Sequence, residues 1–235
     1  MESPKIVIVG GVAGGMSCAA RARRLDDAAE IVVLERGEHV SFANCGLPYY
    51  VGGEITDPSA LLVQTPASLR AALDLDVRTR HDVTGLDADR KVVTVRTPDG
   101  EVELAYDALV LAPGARAVVP PIPGIDSPRV RTLRTVDDAL ALRGGVEGGA
   151  RDAVVLGAGF IGLEAAEALA HQGLNVTIVE LAPHVLPPLE SELATLVTAE
   201  LAALGIDVRA GVAATAIEPE GGRDAVVLAD GSRVP

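Results

Sequence analysis

The chain has 235 residues, 49% of them apolar but only 2% aromatic, with no Trp and a formal net charge of −13. That length supports one large domain or two small ones, with a core of Ala, Val, Leu and Ile that suits helices packed on a parallel sheet. The acidic balance argues against nucleic acid and anionic membranes as partners, no run approaches the roughly 18 apolar residues that span a bilayer, and two cysteines cannot build a secreted-type disulfide framework.

In chain order, the N-terminus passes directly into Ile6-Val7-Ile8-Val9 without a basic-then-apolar leader, so the expected compartment is the cytoplasm. This strand runs into Gly10-Gly11-Val12-Ala13-Gly14-Gly15, then a helix-compatible stretch to Leu25, then Ile31-Val-Val-Leu-Glu35. Residues 77–105 alternate apolar and polar around Asp87-Ala-Asp-Arg90 and Thr97-Pro-Asp-Gly100, which predicts a small antiparallel meander. Ala108-Leu-Val-Leu-Ala112-Pro113-Gly114-Ala115 reads as a buried strand ending in a glycine turn, and Val118-Val-Pro-Pro-Ile-Pro-Gly124 as a stiff extended connection. After a glycine patch at 144–149, the first plan returns. Ala153-Val-Val-Leu-Gly157-Ala-Gly159-Phe160-Ile161-Gly162 opens a helix to His171, followed by Val176-Thr-Ile-Val-Glu180. The predicted class is α/β, with two Rossmann-like βαβ modules. The expected boundaries are 1–115 for the first domain with its meander insertion, 116–150 for a connecting segment, and 151–235 for a second, incomplete domain.

The repeated unit has a specific chemistry. A glycine turn lets backbone N–H groups approach a diphosphate, and the helix that follows presents its positive end. An acid about two dozen residues later can accept from ribose hydroxyls, and strand, turn, helix and acid together are far more specific than glycines alone. The second copy is a full G-x-G-x-x-G at Gly157, Gly159 and Gly162; in the first, Val12 holds the middle position and restricts diphosphate approach.

Cys45 follows the first module in Ser41-Phe-Ala-Asn44-Cys45-Gly-Leu-Pro-Tyr49-Tyr50. A cysteine ahead of a helix start gains thiolate character, which favours reactivity over burial as an inert side chain. Cys18, on the apolar face of the first helix, reads as core. Arg24 matches a phosphate oxygen pair, although Arg21-Ala-Arg-Arg24 by itself reads as a solvated face.

Ser41–Tyr49, with Gly10–Gly15 and the helix Met16-Ser17-Cys18-Ala-Ala-Arg21-Ala-Arg-Arg24-Leu25, resembles the pyridine nucleotide–disulfide oxidoreductase family, and within it the coenzyme A-disulfide reductases. The resemblance implies a flavoprotein, with an FAD-binding first domain and an NAD(P)-binding second domain. FAD would be held by Gly10–Gly15, Glu35, Arg36 and Ala112-Pro113-Gly114-Ala115, with the backbone at Val83 near the adenine. NADH or NADPH would lie on Gly157, Gly159 and Gly162 beside Phe160, Ile161 and Glu164, with Glu180 favouring NADH. Ser17, Arg21, Arg24, Ser41 and Asn44 would line a coenzyme A channel, and Cys45 would form a mixed disulfide with coenzyme A. Where some relatives carry a basic substrate-binding residue this chain has Leu73, with Arg70 a possible substitute. The family also implies a longer homodimeric parent, with the second module, a returning flavin segment and a dimerisation domain continuing past Pro235.

Three readings compete. NADH oxidases and peroxidases share the fold and cycle one cysteine through sulfenic acid, but typically carry a histidine in the first glycine turn, where this chain has Val12-Ala13. Persulfide reduction would use the same thiolate and channel. Outside the enzyme class, the chain would be a truncated, non-catalytic nucleotide-binding fragment.

Overall fold

The computed structural model describes residues 3–235. In chain order its elements are β1 (Lys5–Val9), α1 (Ala13–Leu25), β2 (Glu30–Glu35), α2 (Leu47–Gly52), α3 (Pro66–Leu73), β3 (Asp76–Thr79), β4 (Asp82–Asp87), β5 (Val92–Thr97), β6 (Gly100–Ala105) and β7 (Ala108–Leu111). They continue with α4 (Val136–Glu147), β8 (Asp152–Leu156), α5 (Phe160–His171), β9 (Asn175–Glu180), α6 (Ser191–Ala203), β10 (Asp207–Ala210), β11 (Ala214–Glu220), β12 (Arg223–Leu228) and β13 (Arg233–Val234). The chain forms two compact units: one holds the residues up to Ala43 with Ser59–Arg116, the other Asn44–Pro58 with Ala117–Pro235.

In the first unit β3-β2-β1-β7 form a parallel sheet. Successive side chains of a strand point to opposite faces, and both faces of β1 and β2 are apolar. Ile8, Ile31 and Val33 pack with Met16, Ala19, Leu69 and Leu75 on the helical side. Val7, Val32 and Leu34 pack on the other side with Val93 and Val95 of β5, the middle strand of the antiparallel meander β4-β5-β6. A sheet buried on both faces explains the unbroken Val and Ile runs.

The second unit repeats the plan. Its parallel sheet is β10-β9-β8 and its antiparallel sheet β11-β12-β13. Val179 of β9 packs with Ile217, Val226, Leu228 and Val234, and with Ile122 and Ile125 from the proline-rich segment. Gly124, at φ +78°, lies where a Cβ would fall 1.9 Å from the Ile217 carbonyl oxygen, so that segment is held against β11. Helix α2 packs on α4 and α5.

Four features differ from the sequence reading. The meander begins at Asp82, because 76–79 is drawn into the parallel sheet beside β2. Strand β7 is part-exposed rather than buried, being an edge strand of its sheet, with Leu111 58% accessible. The span 116–150 contains α4, started by a reciprocal capping box between Thr135 and Asp138. Residues 44–58 group with the later unit rather than with the rest of 1–115, because α2 packs on α4 and α5. That excursion leaves and rejoins the first unit through a narrow neck: Phe42 and Leu62 form an antiparallel bridge, and the Ala43 N–H donates to the Leu61 carbonyl at 2.8 Å.

Candidate functional site

The first glycine turn is built around close backbone approaches. Gly10 lies at φ +104°, and a Cβ there would fall 2.0 Å from the Ala112 carbonyl oxygen. Beneath it, a Cβ on Gly15 would fall 1.8 Å from the Gly10 carbonyl oxygen, which lets α1 pack directly against the strand end. Gly14 faces open space, an added Cβ meeting only the Ala112 side chain at 3.6 Å. Helix α1 starts from Val12 with no side-chain cap and no acid in its first turn, so its leading N–H groups remain for an outside acceptor.

The second turn repeats these relations in the other unit. Gly157 is again at φ +104°, and a Cβ on Gly162 would fall 2.0 Å from the Gly157 carbonyl oxygen. In front of Gly159 a Cβ would meet nothing within 4 Å. Helix α5 starts there without a side-chain cap. This open, N–H-lined glycine surface fits an extended diphosphate better than the first, where Val12 stands in place of Gly159.

Both acids do something the sequence does not reveal. Glu35, 9% exposed, accepts the Gly11 N–H on Oε2 and the Gly37 N–H on Oε1, each at 2.7 Å. Glu180 accepts the Ala158 N–H at 2.6 Å and the Ala182 N–H at 2.7 Å. Each carboxylate therefore pins its own glycine turn from behind. Of the roughly four acceptor sites on a carboxylate, two are taken by these backbone donors.

On α1, Ser17, Arg21 and Arg24 recur at helical spacing and are all exposed. Arg23 is turned away, donating to the carbonyls of Leu73, Asp27 and Asp74 at 2.8 to 2.9 Å. Cys18 is part-buried against the core beneath α1. Arg36 is exposed just past Glu35, and Val83 packs beside the Val7–Leu34 cluster. Ala112 donates its N–H to the Val9 carbonyl, Pro113 follows, and Gly114 turns the chain at φ +70°. Ser41 sits in left-handed backbone at φ +47° and donates its N–H to the Gly11 carbonyl at 2.9 Å, tying the start of the cysteine stretch to the first turn. Arg70, exposed on α3, pairs with Asp76 at 3.3 Å.

Cys45 is a free, exposed thiol in a single 3-10 turn, Asn44–Gly46, directly ahead of α2. It lines a cavity of about 300 Å³ formed within the second unit. Asn44, Leu47, Pro48 and Tyr49 supply the wall around the sulfur, Leu133 and Arg134 a second wall, and Phe160, Ile161 and Glu164 of α5 a third. The fold thus brings Cys45 together with the three α5 residues named from the sequence. Asn44 Oδ1 is shielded from solvent and accepts no hydrogen bond, an acceptor that a ligand N–H or O–H would satisfy.

Helix α2 is only six residues long, and its last four carbonyls need partners. Tyr49 O accepts from Ile55 N–H and Tyr50 O from Gly53 N–H. Val51 O accepts from the Arg143 guanidinium at 3.3 Å, and Gly52 O from the Gln172 side-chain amide. Sequence reasoning did not single out Arg143, Gln172 or Gly53. The left-handed Gly53 after a short helix was the one available signal.

Residues 4–235 match the family described as pyridine nucleotide-disulphide oxidoreductase. The coenzyme A disulfide reductase of Staphylococcus haemolyticus is 37% identical over 200 residues, 84% of this chain and 45% of that protein. Among solved structures, an NAD-dependent persulfide reductase from A. fulgidus superposes with a TM-score of 0.94 at 39% identity, over 98% of this chain and 43% of that one. A water-forming NADH oxidase from Lactobacillus brevis, bound to NADH, gives 0.92 at 29% identity, over 98% and 51%. The chain spans less than half the length of the curated relative. With the match running from residue 4 to the last residue, over both glycine turns and the cysteine stretch, this chain belongs to the pyridine nucleotide-disulphide oxidoreductase family.

Proposed function

We propose that the chain is the nucleotide- and cysteine-bearing part of an FAD-dependent oxidoreductase that draws electrons from NADH or NADPH and uses Cys45 to reduce coenzyme A disulfide or a related disulfide or persulfide. The observation that carries this reading is the exposed Cys45 thiol sharing a cavity with Phe160, Ile161 and Glu164, the first turns of the helix that rises from the Gly157–Gly162 cradle. The proposed domains are an FAD-binding one around the first turn and an NAD(P)-binding one around the second. A homodimeric parent is part of the same proposal.

Gly10–Gly15, Glu35, Arg36, Val83 and Ala112–Gly114 would hold FAD, and Gly157, Gly159, Gly162 and Glu180 the nicotinamide nucleotide. FAD, when bound, supplies a carrier that takes an electron pair from the nucleotide and gives it to sulfur. The Cys45 thiolate attacks one sulfur of the substrate disulfide; that S–S bond breaks, one thiolate leaves, and a mixed disulfide forms on Cys45. Two electrons then cleave the mixed disulfide, restoring the Cys45 thiolate and releasing the second thiol. Over a turnover the nucleotide loses a hydride, and the disulfide gains two electrons and two protons, one of them from solvent. The buried Asn44 Oδ1 would accept from an amide or hydroxyl of the substrate arm. Ser17, Arg21, Arg24 and Ser41 would take its phosphates and their approach path. Glu180, already accepting two backbone N–H groups, favours NADH, since a 2′-phosphate beside it would be repelled.

The oxidase reading, with a Cys45 sulfenic acid, is the alternative. Oxygen and peroxide need neither a cavity of this size nor an orphan acceptor beside the sulfur, and Val12-Ala13 leaves the first turn without histidine. The deciding experiment compares wild type with Cys45→Ser for flavin absorbance and for NADH consumption with coenzyme A disulfide, coenzyme A persulfide, oxygen and peroxide. The variant keeps the flavin spectrum and falls to background with the disulfide. Undiminished disulfide turnover would remove Cys45 from the chemistry, and a colourless wild-type chain would leave only a nucleotide-binding fragment.

A further inference from the structure

We propose that Gln172, assisted by Arg143, is a positioning residue that fastens the Cys45 segment to α5, so that a nucleotide held at the front of α5 and a group bound to Cys45 are energetically linked. The inference rests on the nucleotide and cysteine roles proposed above.

Helix α5 meets the cysteine segment at both of its ends. At the front, Phe160, Ile161 and Glu164 line the cavity with Cys45. At the rear, Gln172 caps α5 and donates to Gly52 O, while His171 Nδ1 lies 3.5 Å from the Glu54 carboxylate. Twelve residues of α-helix make a rod of about 18 Å at 1.5 Å per residue, stiff on the scale of a side-chain contact. A six-residue helix such as α2 has no stability alone, so its packing on α4 and α5 and these ties together fix where Cys45 sits.

Those ties leave little alternative. Val51 and Gly52 are buried, so water is a poor replacement for the Arg143 and Gln172 donors. Arg143 is itself steadied by Glu147, 2.8 Å from its Nε. A Cβ on Gly53 would fall 2.8 Å from both Arg143 Nη1 and Gln172 Nε2, so glycine is the residue that admits both donors there. Any shift or stiffening of α5 on nucleotide binding is therefore handed to α2 and to the turn carrying the sulfur. By linkage, a group whose equilibrium on Cys45 is shifted by the nucleotide must in turn shift nucleotide affinity.

The test uses the reduced, desalted, FAD-loaded chain and NAD⁺, so that no electrons flow. The rate of alkylation at Cys45 is followed by mass spectrometry of its peptide, which separates it from Cys18. In wild type, saturating NAD⁺ changes the Cys45 rate by about five-fold or more, the lower end of ordinary coupling between sites, and alkylated protein shows a changed NAD⁺ affinity by calorimetry. Gln172→Met, which keeps length but loses the donor, brings the response within about two-fold at unchanged NAD⁺ affinity, and Gln172→Lys, which restores a donor, recovers it. Should Gln172→Met fail to fold, Arg143→Met carries the same prediction. A full response in the Met variant would reduce Gln172 to a cap on α2 and overturn the proposal. So would wild type that binds NAD⁺ with no change at Cys45, leaving the proposed function intact. Wild type that binds no NAD⁺ would instead overturn the nucleotide reading, and this inference with it.

Discussion

Gly159 and Gly162 belong to one short motif, yet they carry separable duties. Gly162 has no room for a Cβ, which would stand 2.0 Å from the Gly157 carbonyl oxygen, whereas the space before Gly159 is open. Gly162→Ala should therefore lower stability by about 1–3 kcal/mol, the usual cost of overpacking, seen as a drop in melting temperature. Gly159→Ala should leave melting unchanged and weaken NAD⁺ binding, seen by titration, because the added methyl occupies the face a diphosphate would approach. The motif was legible in the sequence because glycine spacing encodes both constraints at once. Which glycine packs and which one faces a ligand was not, since that depends on the carbonyl geometry of the folded turn. Glu35 and Glu180 were legible as acids ending their strands. Their grip on the turns behind them was not, because no spacing rule separates an acid that reads sugar from one that holds backbone. Arg143 and Gln172 were invisible for a related reason: their acceptors, the carbonyls of Val51 and Gly52, are far away in sequence and lack helical donors only because of where α2 ends.

At the scale of elements, the βαβ units could be read directly, because a glycine turn between a Val/Ile run and an amphipathic stretch has few other solutions. Helix α4 could not. Gly144 and Gly145 lie inside it, each costing a helix about 1 kcal/mol relative to Ala, and they hide a start signal that is present in Thr135-Val-Asp-Asp138. The structure shows how the helix tolerates them: the capping box closes its front, while Val136 and Ala139 are buried. Thr135→Ala should then destabilise the protein by about 1 kcal/mol, measured by denaturant titration, and loosen the contact between α4 and α2. A second tie joins the strands of the same unit. Asp152, at the head of β8, accepts from Asn175 of β9 and from Arg223 of β12. The Asn175 hydrogen bond, then Arg223, holds its carboxyl below the usual carboxylate range. A depressed folded value means that this contribution is in force above the ordinary carboxylate pKa and is lost as pH falls through the folded one. Asp152→Asn should accordingly flatten the acid side of the stability profile and leave its neutral-to-alkaline side parallel to wild type.

Each compact unit repeats one architecture: a parallel sheet with helices on one side and an antiparallel sheet on the other. Composition announced the parallel sheets, while the second antiparallel sheet, β11-β12-β13, went unread in a stretch of mixed polarity where only a few positions are buried. The division of the chain also assigns 44–58 to the later unit, which hydrogen exchange can test. Adding NAD⁺ should slow exchange at the amides of α2 together with those of α5, while β1 and β2 stay unchanged. An α2 response that instead followed β1 would place the segment with the first unit. The neck of that excursion has a broader consequence. Because Phe42 and Leu62 already bring its two ends side by side, the closure entropy of the stretch is met by the neck itself, and replacing the residues between the ends, with Gly52 and Gly53 kept for Arg143 and Gln172, should leave the melting temperature of the first unit unchanged.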